Sequence, residues 1–559
     1  MIEESDAAKT AQVIAYHDRT KHDFRRSARG PGYLDWAHQP DPFRRFEGAP
    51  RFLLPFALNE PSVPYENLYT QPAPSQPISV QTLGWFLEWS LGVSATKSAA
   101  GTSWKLRCNP SSGNLHPTEG YLVLNAIDTL SPMPGVYHYR ADEHGLEQRC
   151  SFSAQTWAAL NESFPPHTFF AGLSSIHWRE AWKYGERALR YCNHDVGHAL
   201  AALRYAAAAL GWRCKMPEGL SSADIATLLG LDRDEDYANA EREHADLVVA
   251  VTTAPNFGAC PNRFSPSTIT EISTAAWRGT ASALSDEMVD WPIIGETATL
   301  CEKPATDPSW FETSAPDPVA SVGPRGLAMP ASQLFRQRRS AVDMDGVTGI
   351  SRADFYRMLE RTMPRALRPP FDVWPYAAEV DLGLFVHRVE DLAPGVYALI
   401  RNATHTPVLR AEMRAEFAWS TPPGCPEDLP LYHLASGDCR GLAAQISCTQ
   451  DIAGMGAFSL GMLARFADAL QERGPWVYPR LFWEAGLIGQ VLYLEAEAAG
   501  LRGTGIGCYF DNPVHQVFGL TGHAFQSMYH FTIGGPVDDP RLTNLPPYSA
   551  ERRALHGWV

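Results

Sequence analysis

LRYAAAALGWR, at residues 203–213, is similar in pattern to LYLEAEAAGLRG, at residues 492–503. Both stretches are helix-like, and their recurrence decides the organisation of the chain. Two other landmarks recur in the same order, 272 and 260 residues apart: ISVQTLGWFLEWS (78–90) with ISRADFYRMLERT (350–362), and PGVY (134–137) with PGVY (394–397). Three matches in one order, at similar offsets, predict an ancient tandem duplication. Convergence of helix and turn composition is the alternative.

Local patterns predict the same elements in both halves. Residues 78–90 and 350–362 begin with an Ile-Ser pair and carry apolar residues at a spacing of three to four, as N-capped amphipathic helices do. Residues 194–210 and 485–499 are small or apolar almost all round, which predicts buried helices. Strands are predicted at 120–125, 247–253, 382–386 and 531–533, and each PGVY predicts a turn that enters a strand.

Composition excludes several classes of protein. The 559 residues are 45% apolar, enough for the cores of two to four domains. A net charge of −15 disfavours a nucleic-acid partner, which needs clustered positive charge. Ten cysteines without a CxxC pair indicate reduced thiols, and 18 histidines show no metal-binding spacing. The sequence has no evident signal peptide or membrane span, so we expect a cytoplasmic protein without a membrane partner.

The chain divides into four predicted regions. Residues 1–76 are an apolar, Arg- and Pro-rich extension that we expect to pack on the body. Residues 77–255 and 331–559 are the two repeated domains. Between them, residues 256–330 are rich in Pro, Ser, Thr and Ala and are predicted to be a surface connector with local order around Trp291 and Trp310.

The first motif with chemical content is PSSGN at 110–114, ahead of a predicted strand. Its hydroxyl, amide and backbone N–H groups can hydrogen-bond to a planar polar ring, although an ordinary turn has the same composition. PSSGNLHPTEGYLVL (110–124) resembles the PSSxNxQPW segment of FMN-dependent nitroreductases. Because it continues with His-Pro-Thr-Glu at 116–119, the segment looks more like that of the SagB/ThcOx-type dehydrogenases. This branch includes azoline oxidases of peptide natural-product pathways. The resemblance implies that FMN contacts Pro110, Ser111, Ser112, Gly113 and Asn114.

The second motif is KYGERALRY at 183–191, followed by DVGH at 195–198. It resembles the KYG-x-R-x-x-R-[YF]…GH signature of the same branch. In azoline oxidases of that branch, the Lys-Tyr pair is thought to remove the ring proton while the flavin takes hydride, so the resemblance implies that Lys183 and Tyr184 are catalytic. An exposed helix cation is the alternative, but only seven of the 47 cations are lysines, which favours a function.

The third motif is RQRRS at 336–340, where closely spaced Arg and Ser residues suit a phosphate. It resembles the R-x-S-x-[RK] entry motif that holds the FMN phosphate in nitroreductases, and it makes Arg336, Arg338, Arg339 and Ser340 candidate ligands. The last basic position of the motif is occupied by Val342, so we expect Arg541 to supply the missing contact. A similar string, Arg25-x-Ser27-x-Arg29, lies 85 residues before Pro110 and is predicted to be a decoy.

The fourth motif is the glycine cluster GLRGTGIGC at 500–508. It follows a predicted helix, so it is not a Rossmann fingerprint, and a helix C-cap followed by a strand explains part of it. In nitroreductases the corresponding stretch passes the flavin ring. That resemblance makes Gly505, Gly507 and Cys508 candidate contacts of the flavin.

The four motifs are distributed between the halves in a complementary way. The first half has PSSGN and Lys183-Tyr184, whereas the second has RQRRS and the glycine cluster, with bulky Phe371 and Trp374 in the counterpart of PSSGN. We therefore expect an α+β fold of two tandem nitroreductase-like domains, each an antiparallel-rich sheet flanked by helices. Together they would form an intramolecular pseudo-dimer with one FMN site.

The function implied is that of a SagB-type FMN-dependent oxidoreductase, which moves hydride between FMN and an organic substrate such as an azoline-type heterocycle in a peptide. An NAD(P)H-dependent nitro or quinone reductase and a non-catalytic flavin-binding scaffold are the alternatives. The expected partners are a small-molecule or peptide substrate and neighbouring biosynthetic enzymes. A monomeric pseudo-dimer and a higher oligomer both remain open.

Overall fold

Each half of the chain builds one main antiparallel sheet. The computed structural model describes residues 5–56, 59–258, 262–307, 325–326 and 328–548. The strands of the described residues are β1 Phe46–Glu47, β2 Arg51–Leu53, β3 Val93–Ala99, β4 Thr102–Arg107, β5 Thr118–Leu124, β6 Gly135–Arg140, β7 Gly145–Ser151, β8 Thr168–Ser175, β9 Arg213–Lys215, β10 His244–Thr252, β11 Ala276–Trp277, β12 Thr280–Ala281, β13 Val380–Val386, β14 Gly395–Leu399, β15 Leu431–Ser436, β16 Phe458–Arg465, β17 Arg502–Ile506, β18 Phe525–Gly534 and β19 Thr543–Leu545.

The two main sheets share one strand order. The first runs β7-β6-β5-β8-β10-β9 and the second runs β15-β14-β13-β16-β18-β17. All pairings in both are antiparallel, and β2 and β11 extend the first sheet beside β7. Because every strand of one order has a counterpart in the other, the predicted two-fold repeat of the fold is confirmed. The α+β class with antiparallel-rich sheets is confirmed as well.

Helices flank both sheets. They are α1 Asp6–Arg19, α2 Val80–Ser90, α3 Ala154–Asn161, α4 His177–Tyr184, α5 Ala188–Ala209, α6 Ser222–Leu229, α7 Pro266–Ser273, α8 Pro292–Leu300, α9 Ala331–Gln337, α10 Arg352–Thr362, α11 Thr406–Glu412, α12 Arg440–Ile446, α13 Ile452–Met455, α14 Ala467–Arg473, α15 Val477–Ala498 and α16 Asp511–Phe518. As predicted, α2 and α10 begin at serine caps: the Ser79 and Ser351 hydroxyls accept hydrogen bonds from the backbone N–H groups of Thr82 and Asp354.

The long helices α5 and α15 pack against each other between the two sheets. Every residue of α5 is buried, and so is nearly every residue of α15. The helices meet at Gly197 and Gly486, which correspond to each other in the repeat. A Cβ atom built on Gly197 would lie 2.8 Å from the Cα of Gly486, and the reverse distance is also 2.8 Å. The absence of side chains at these two positions therefore allows the backbones to touch.

The hydrophobic core comprises one cluster shared by both halves and one further cluster within each half. Alternate residues of each central strand point to opposite faces of its sheet. Leu122 and Leu384 contribute to a cluster that extends through both halves, whereas Val123 and Phe385 contribute to separate clusters under the outer helices. The two halves thus share the core that surrounds α5 and α15.

Segments outside the two main sheets join the halves. Helix α1 packs against α8 and α14, and β19, near the end of the described chain, pairs with β3 of the first half. The predicted connector contains α7, α8, β11 and β12 in its described part. Trp310 and the final eleven residues of the second predicted domain lie outside the described residues. Within the described part of the chain, no helix has the length and apolar character needed to cross a bilayer.

Candidate functional site

A cavity of about 360 Å³ lies where residues of the two halves meet. This volume falls in the range of pockets that bind small molecules and cofactors. Twelve of the fifteen residues that the sequence analysis selected line it: Pro110, Ser111, Ser112, Gly113, Asn114, Tyr184, Arg338, Arg339, Ser340, Gly505, Gly507 and Cys508. The structure therefore brings all four motifs to one place, although they are spread over some 400 residues of sequence.

Two of the selected arginines lie elsewhere. Arg336 points to two acids, with Nε 2.9 Å from an oxygen of Glu88 and an ion pair to Glu60. The side chain of Arg541 is 85% exposed, binds Asp539 and is absent from the lining of the cavity. The predicted decoy residues Arg25, Ser27 and Arg29 are exposed and lie outside the lining of the cavity.

Lys183, the remaining selected residue, is absent from the lining but lies against Gly113, which lines the cavity. Gly113 has φ +60°, in the left-handed region that favours glycine. A Cβ atom at this position would lie 2.7 Å from the hydroxyl of Tyr184 and 3.1 Å from Nζ of Lys183. Lys183 Nζ also lies 5.4 Å from the ring centroid of Tyr184. The bare backbone at Gly113 therefore lets the Lys-Tyr pair lie directly on the PSSGN loop.

Several polar groups of the PSSGN loop hold the loop itself. The backbone N–H of Ser112 donates to Asp195 at 3.2 Å, and the hydroxyl of Ser111 accepts from the backbone N–H of His116 at 2.8 Å. Asn114 Nδ2 donates to the carbonyl of Lys105 at 2.9 Å. The hydroxyls and the amide were expected to face a ligand. Instead, much of this capacity fixes a loop in which the non-glycine residues Asn114 and His116 have φ of 60° and 52°, a strain of the kind found at functional sites.

Other residues that line the cavity carry buried polar atoms without a partner among the described residues. These atoms are Arg107 Nε, Asn109 Oδ1, His116 Nδ1, Asp195 Oδ2, His198 Nδ1 and Arg338 Nη1. A buried polar atom without a hydrogen bond costs about 1–3 kcal/mol, so such a concentration requires an explanation. A polar ligand with both donors and acceptors would satisfy these atoms.

A basic cluster, Lys97, Arg107, Arg338 and Arg339, forms part of the lining, where Asp195 is the sole acid. Burial, followed by the charge of neighbouring arginines, lowers the pKa of Lys97 and lowers that of Arg339 to about 10. Cations that depress one another's pKa in this way favour an anionic ligand. Lys97 was not among the predicted site residues, although the scarcity of lysine was a usable signal. Lys97 and Arg339 line the cavity, whereas Arg541 does not.

Two buried acids lie beside the Lys-Tyr pair. Burial raises the pKa of Asp195 to about 7, and burial followed by the charge of Asp195 raises the pKa of Glu180 well above its usual range. Neither carboxyl oxygen of Glu180 has a hydrogen-bond partner among the described residues. Both acids were missed as site residues. The DVGH stretch held a signal, because Asp195 and His198 are three positions apart and lie on one helix face.

The motif arginines between these acids have a structural role. Arg187 and Arg190 donate to the two oxygens of Asp511 at 3.0 and 2.8 Å. Asp511 begins α16 in the second half, directly after the glycine cluster. The second motif therefore ties the Lys-Tyr region to the strand end that carries Gly507 and Cys508.

The glycines of β17 and the turn that follows lie against aromatic rings. A Cβ atom at Gly505 would overlap the hydroxyl of Tyr529, and one at Gly507 would overlap the ring of Tyr191. The backbone N–H of Gly505 donates to the hydroxyl of Tyr493 at 2.9 Å, which also contacts Ser340. The glycine cluster thus allows its backbone to lie against Tyr191, Tyr493 and Tyr529, which also line the cavity.

A second cavity, of about 500 Å³, occupies the position that the repeat assigns to a second site. Its walls include residues 68–73 and 366–369. Residues 68–73 precede α2, as the phosphate motif precedes α10. Residues 366–369 precede β13, as PSSGN precedes β5. Arg204 in this cavity binds Asp372 through two hydrogen bonds of 2.7 Å. Asp372, in the segment that corresponds to PSSGN, is therefore already paired, and Arg213 and Arg368 also line this cavity.

Comparison with solved structures finds the same fold in a protein described as a putative nitroreductase. A putative nitroreductase from Anabaena variabilis matches with a TM-score of 0.67 and 21% identity, over 94% of this chain and 99% of its own. A putative nitroreductase from Ralstonia eutropha matches 40% of this chain and 89% of its own, at 17% identity and TM-score 0.27. The E. coli microcin synthetase McbBCD complex matches 45% of this chain and 95% of its own, at 18% identity and TM-score 0.28.

Neither a family model nor a curated protein matches the chain. The full-length structural match nevertheless establishes the architecture. The chain has the nitroreductase fold, with two nitroreductase-like halves in one polypeptide.

Proposed function

We propose that the chain is an FMN-dependent oxidoreductase of the SagB type, which moves hydride between an organic substrate and one FMN per chain. The observation that carries the proposal is the contact of Lys183 and Tyr184 with Gly113, at the cavity that also holds the basic cluster. The proposed proton-transfer pair and the proposed anion site would thus lie side by side at the junction of the two halves.

The residues present fit both ends of FMN. The basic cluster would hold the phosphate, because guanidinium and ammonium groups make charge-assisted hydrogen bonds to phosphate oxygens. Asn109 Oδ1, His116 Nδ1 and His198 Nδ1, which have no partner among the described residues, suit the polar edge of a flavin ring. Bound FMN would supply a two-electron acceptor for hydride.

Lys183 and Tyr184 would handle the substrate proton. A carbon acid that also gives up hydride needs a base within hydrogen-bond reach. We assign this base to Nζ of Lys183, with the hydroxyl of Tyr184 orienting it or sharing the proton. Burial raises the pKa of Asp195 to about 7 and that of Glu180 well above its usual range, so Glu180 would hold a proton near Lys183 at neutral pH.

The substrate class that we propose is an azoline-type heterocycle in a peptide. Loss of one C–H proton and one hydride from such a ring gives an aromatic product, which matches the division of roles between Lys183 and a flavin. The resemblance of KYGERALRY to the azoline-oxidase branch supports this class. Enzymes that form the azoline ring would then be the biosynthetic partners.

The flavin content of the purified chain tests the proposal. FMN released by heat and quantified against protein should give one equivalent per chain, because Asp372 already binds Arg204 in the second cavity. Two equivalents would show that both cavities bind flavin. No flavin, even after reconstitution with FMN, would contradict the proposed function.

A further inference from the structure

Two cysteines of the second half touch each other at the wall of the cavity. Cys508 lines the cavity, and its Sγ lies 2.7 Å from the Sγ of Cys448. Both residues are half-buried, so solvent and small molecules can reach them. They are 60 positions apart, which is why counting CxxC pairs in the sequence does not find them.

The chain holds Cys448 in place with an unusual backbone. Cys448 and Thr449 both have positive φ values, 54° and 57°, which non-glycine residues seldom adopt. Gln450 donates from Nε2 to the carbonyl of Cys508 at 3.0 Å and to that of Ser447 at 2.9 Å. Two consecutive left-handed residues persist only where their surroundings fix them. The loop after α12 is thus built to present Cys448 to Cys508.

The environment of the two cysteines shifts their pKa values in opposite directions. The contact with Cys448, followed by His22 and Arg187, lowers the pKa of Cys508 to about 5 despite burial, whereas the same contact raises the pKa of Cys448. Cys425, which is half-buried elsewhere, has its pKa raised by burial to about 11. The pair therefore combines a thiolate with a neighbouring thiol, which is the arrangement that thiol–disulfide exchange requires.

We propose that Cys448 and Cys508 form a redox-active dithiol that reduces a low-molecular-weight disulfide at the wall of the cavity. The Cys508 thiolate attacks one sulfur of the disulfide RSSR, forms a mixed disulfide and releases RS⁻. The Cys448 thiol then attacks the Cys508 sulfur, loses its proton, and displaces the second RS⁻, which takes that proton. The chain gains one Cys448–Cys508 bond and gives up two electrons, and RSSR becomes one RSH and one RS⁻. The exchange does not depend on flavin.

Oxidised glutathione is a suitable probe. The full chain, with and without FMN, would be incubated with oxidised glutathione, alkylated with N-ethylmaleimide and mapped by peptide mass spectrometry. We expect a bridged 448–508 peptide in the wild type. In Cys448→Ser the reaction should stop at glutathionylated Cys508, whereas Cys425→Ser should still form the bridge.

The wild-type measurement requires no variant and so cannot fail through misfolding. Full alkylation of both cysteines after excess oxidised glutathione would overturn the proposal. So would glutathionylation of Cys425 as fast as that of Cys508, because the contact would then give no special reactivity. The peptide map is recorded with and without FMN. A failure of the two cysteines to form a bridge can therefore be distinguished from an absence of flavin in the purified chain.

Discussion

Gly197 of α5 and Gly486 of α15 occupy equivalent positions in the repeat, 289 residues apart, and they face each other where the two helices cross. A Cβ atom on Gly197 would overlap the carbonyl oxygen of Trp483, and one on Gly486 would overlap that of His194. These contacts are also related by the same offset. The symmetry of the crossing explains how two halves of one chain come to form a cavity between them, because each half supplies one of the two central helices.

Replacing Gly197 with Ala should separate α5 from α15. The added methyl meets backbone atoms, which cannot rotate away, so we expect the free energy of unfolding to fall by about 1–3 kcal/mol. Gly441→Ala is the matched control, because Gly441 also lies in a helix and its Cβ would meet nothing within 4 Å. It should be neutral or stabilising by up to about 1 kcal/mol. Chemical denaturation measures both, and equal stabilities would contradict the close helix crossing.

Replacing Gly113 with Ala should disturb the contact between the loop and the Lys-Tyr pair. We expect weaker FMN binding, because the methyl would press on the hydroxyl of Tyr184. Gly101→Ala is the control for backbone strain, since Gly101 has φ +83° and an added Cβ would meet nothing within 4 Å. Each variant carries a strain of about 1–2 kcal/mol from its left-handed backbone. Titration of the apo-protein with FMN separates the two effects, and equal affinities would show that the contact with Tyr184 is unimportant.

Arg338→Ala tests the basic cluster. Loss of a hydrogen bond to a charged group costs about 1.5–3 kcal/mol, so FMN affinity should fall roughly ten- to a hundredfold. Arg541→Ala and Arg25→Ala should leave the affinity unchanged, because both side chains are exposed and lie outside the cavity lining. The same titration serves all three variants. A large loss at Arg541 or Arg25, with none at Arg338, would place the phosphate elsewhere.

The raised pKa of Asp195 predicts a specific pH dependence of stability. Because the folded-state pKa of about 7 exceeds the ordinary value near 4, the folded chain holds the proton more tightly than the unfolded chain does. The contribution of this group therefore favours folding at low pH and is lost as pH rises from about 4 to about 7. Asp195→Asn keeps the shape and cannot ionise.

The measurement compares the unfolding free energy of the apo wild type and Asp195→Asn at about pH 5 and about pH 8. The variant should gain stability relative to the wild type as the pH rises. A difference between the two proteins that does not change with pH would mean that Asp195 titrates normally. Glu218 and Asp246, whose pKa values are also raised, are present in both proteins and cancel in the comparison. Glu180 does not cancel, because the charge of Asp195 contributes to its raised pKa.

Local patterns predicted much of the fold and part of the site. The serine caps of α2 and α10, the strands that follow PGVY and the buried character of α5 and α15 depend on nearby residues, and the structure contains them all. The repeated stretches predicted that the two halves have equivalent folds. Contacts between residues distant in sequence could not be predicted from local patterns. Lys97 joins the cavity on a strand that pairs with β19 from the other end of the chain.

Burial was the other property that the sequence concealed. Glu180 reads as an ordinary helix residue, yet its carboxyl is enclosed without a partner among the described residues. Arg541 has the position expected of a phosphate ligand, but its carboxylate neighbour Asp539 binds it at the surface. Residues distant in sequence determine whether a charged side chain is buried, paired or exposed. This environment determines the chemistry of the side chain.

The account depends most on Lys183 as the base of a flavin-dependent oxidation. General-base removal typically costs about 10²–10⁴ in rate. Lys183→Ala should therefore bind FMN as the wild type does, and dithionite should reduce its flavin as fast, since that reduction needs no substrate base. The matched control is Lys215→Ala, in the half-exposed part of β9 outside the lining of the first cavity.

The decisive measurement is anaerobic bleaching of the flavin absorbance by an azoline-containing peptide, with wild type, Lys183→Ala and Lys215→Ala side by side. The account predicts fast bleaching in the wild type and Lys215→Ala, and a loss of about 10²–10⁴ in rate in Lys183→Ala. Equal bleaching of all three by the peptide would contradict the assignment of the base. Bleaching by NAD(P)H alone, with no response to the peptide, would contradict the oxidase and establish a reductase.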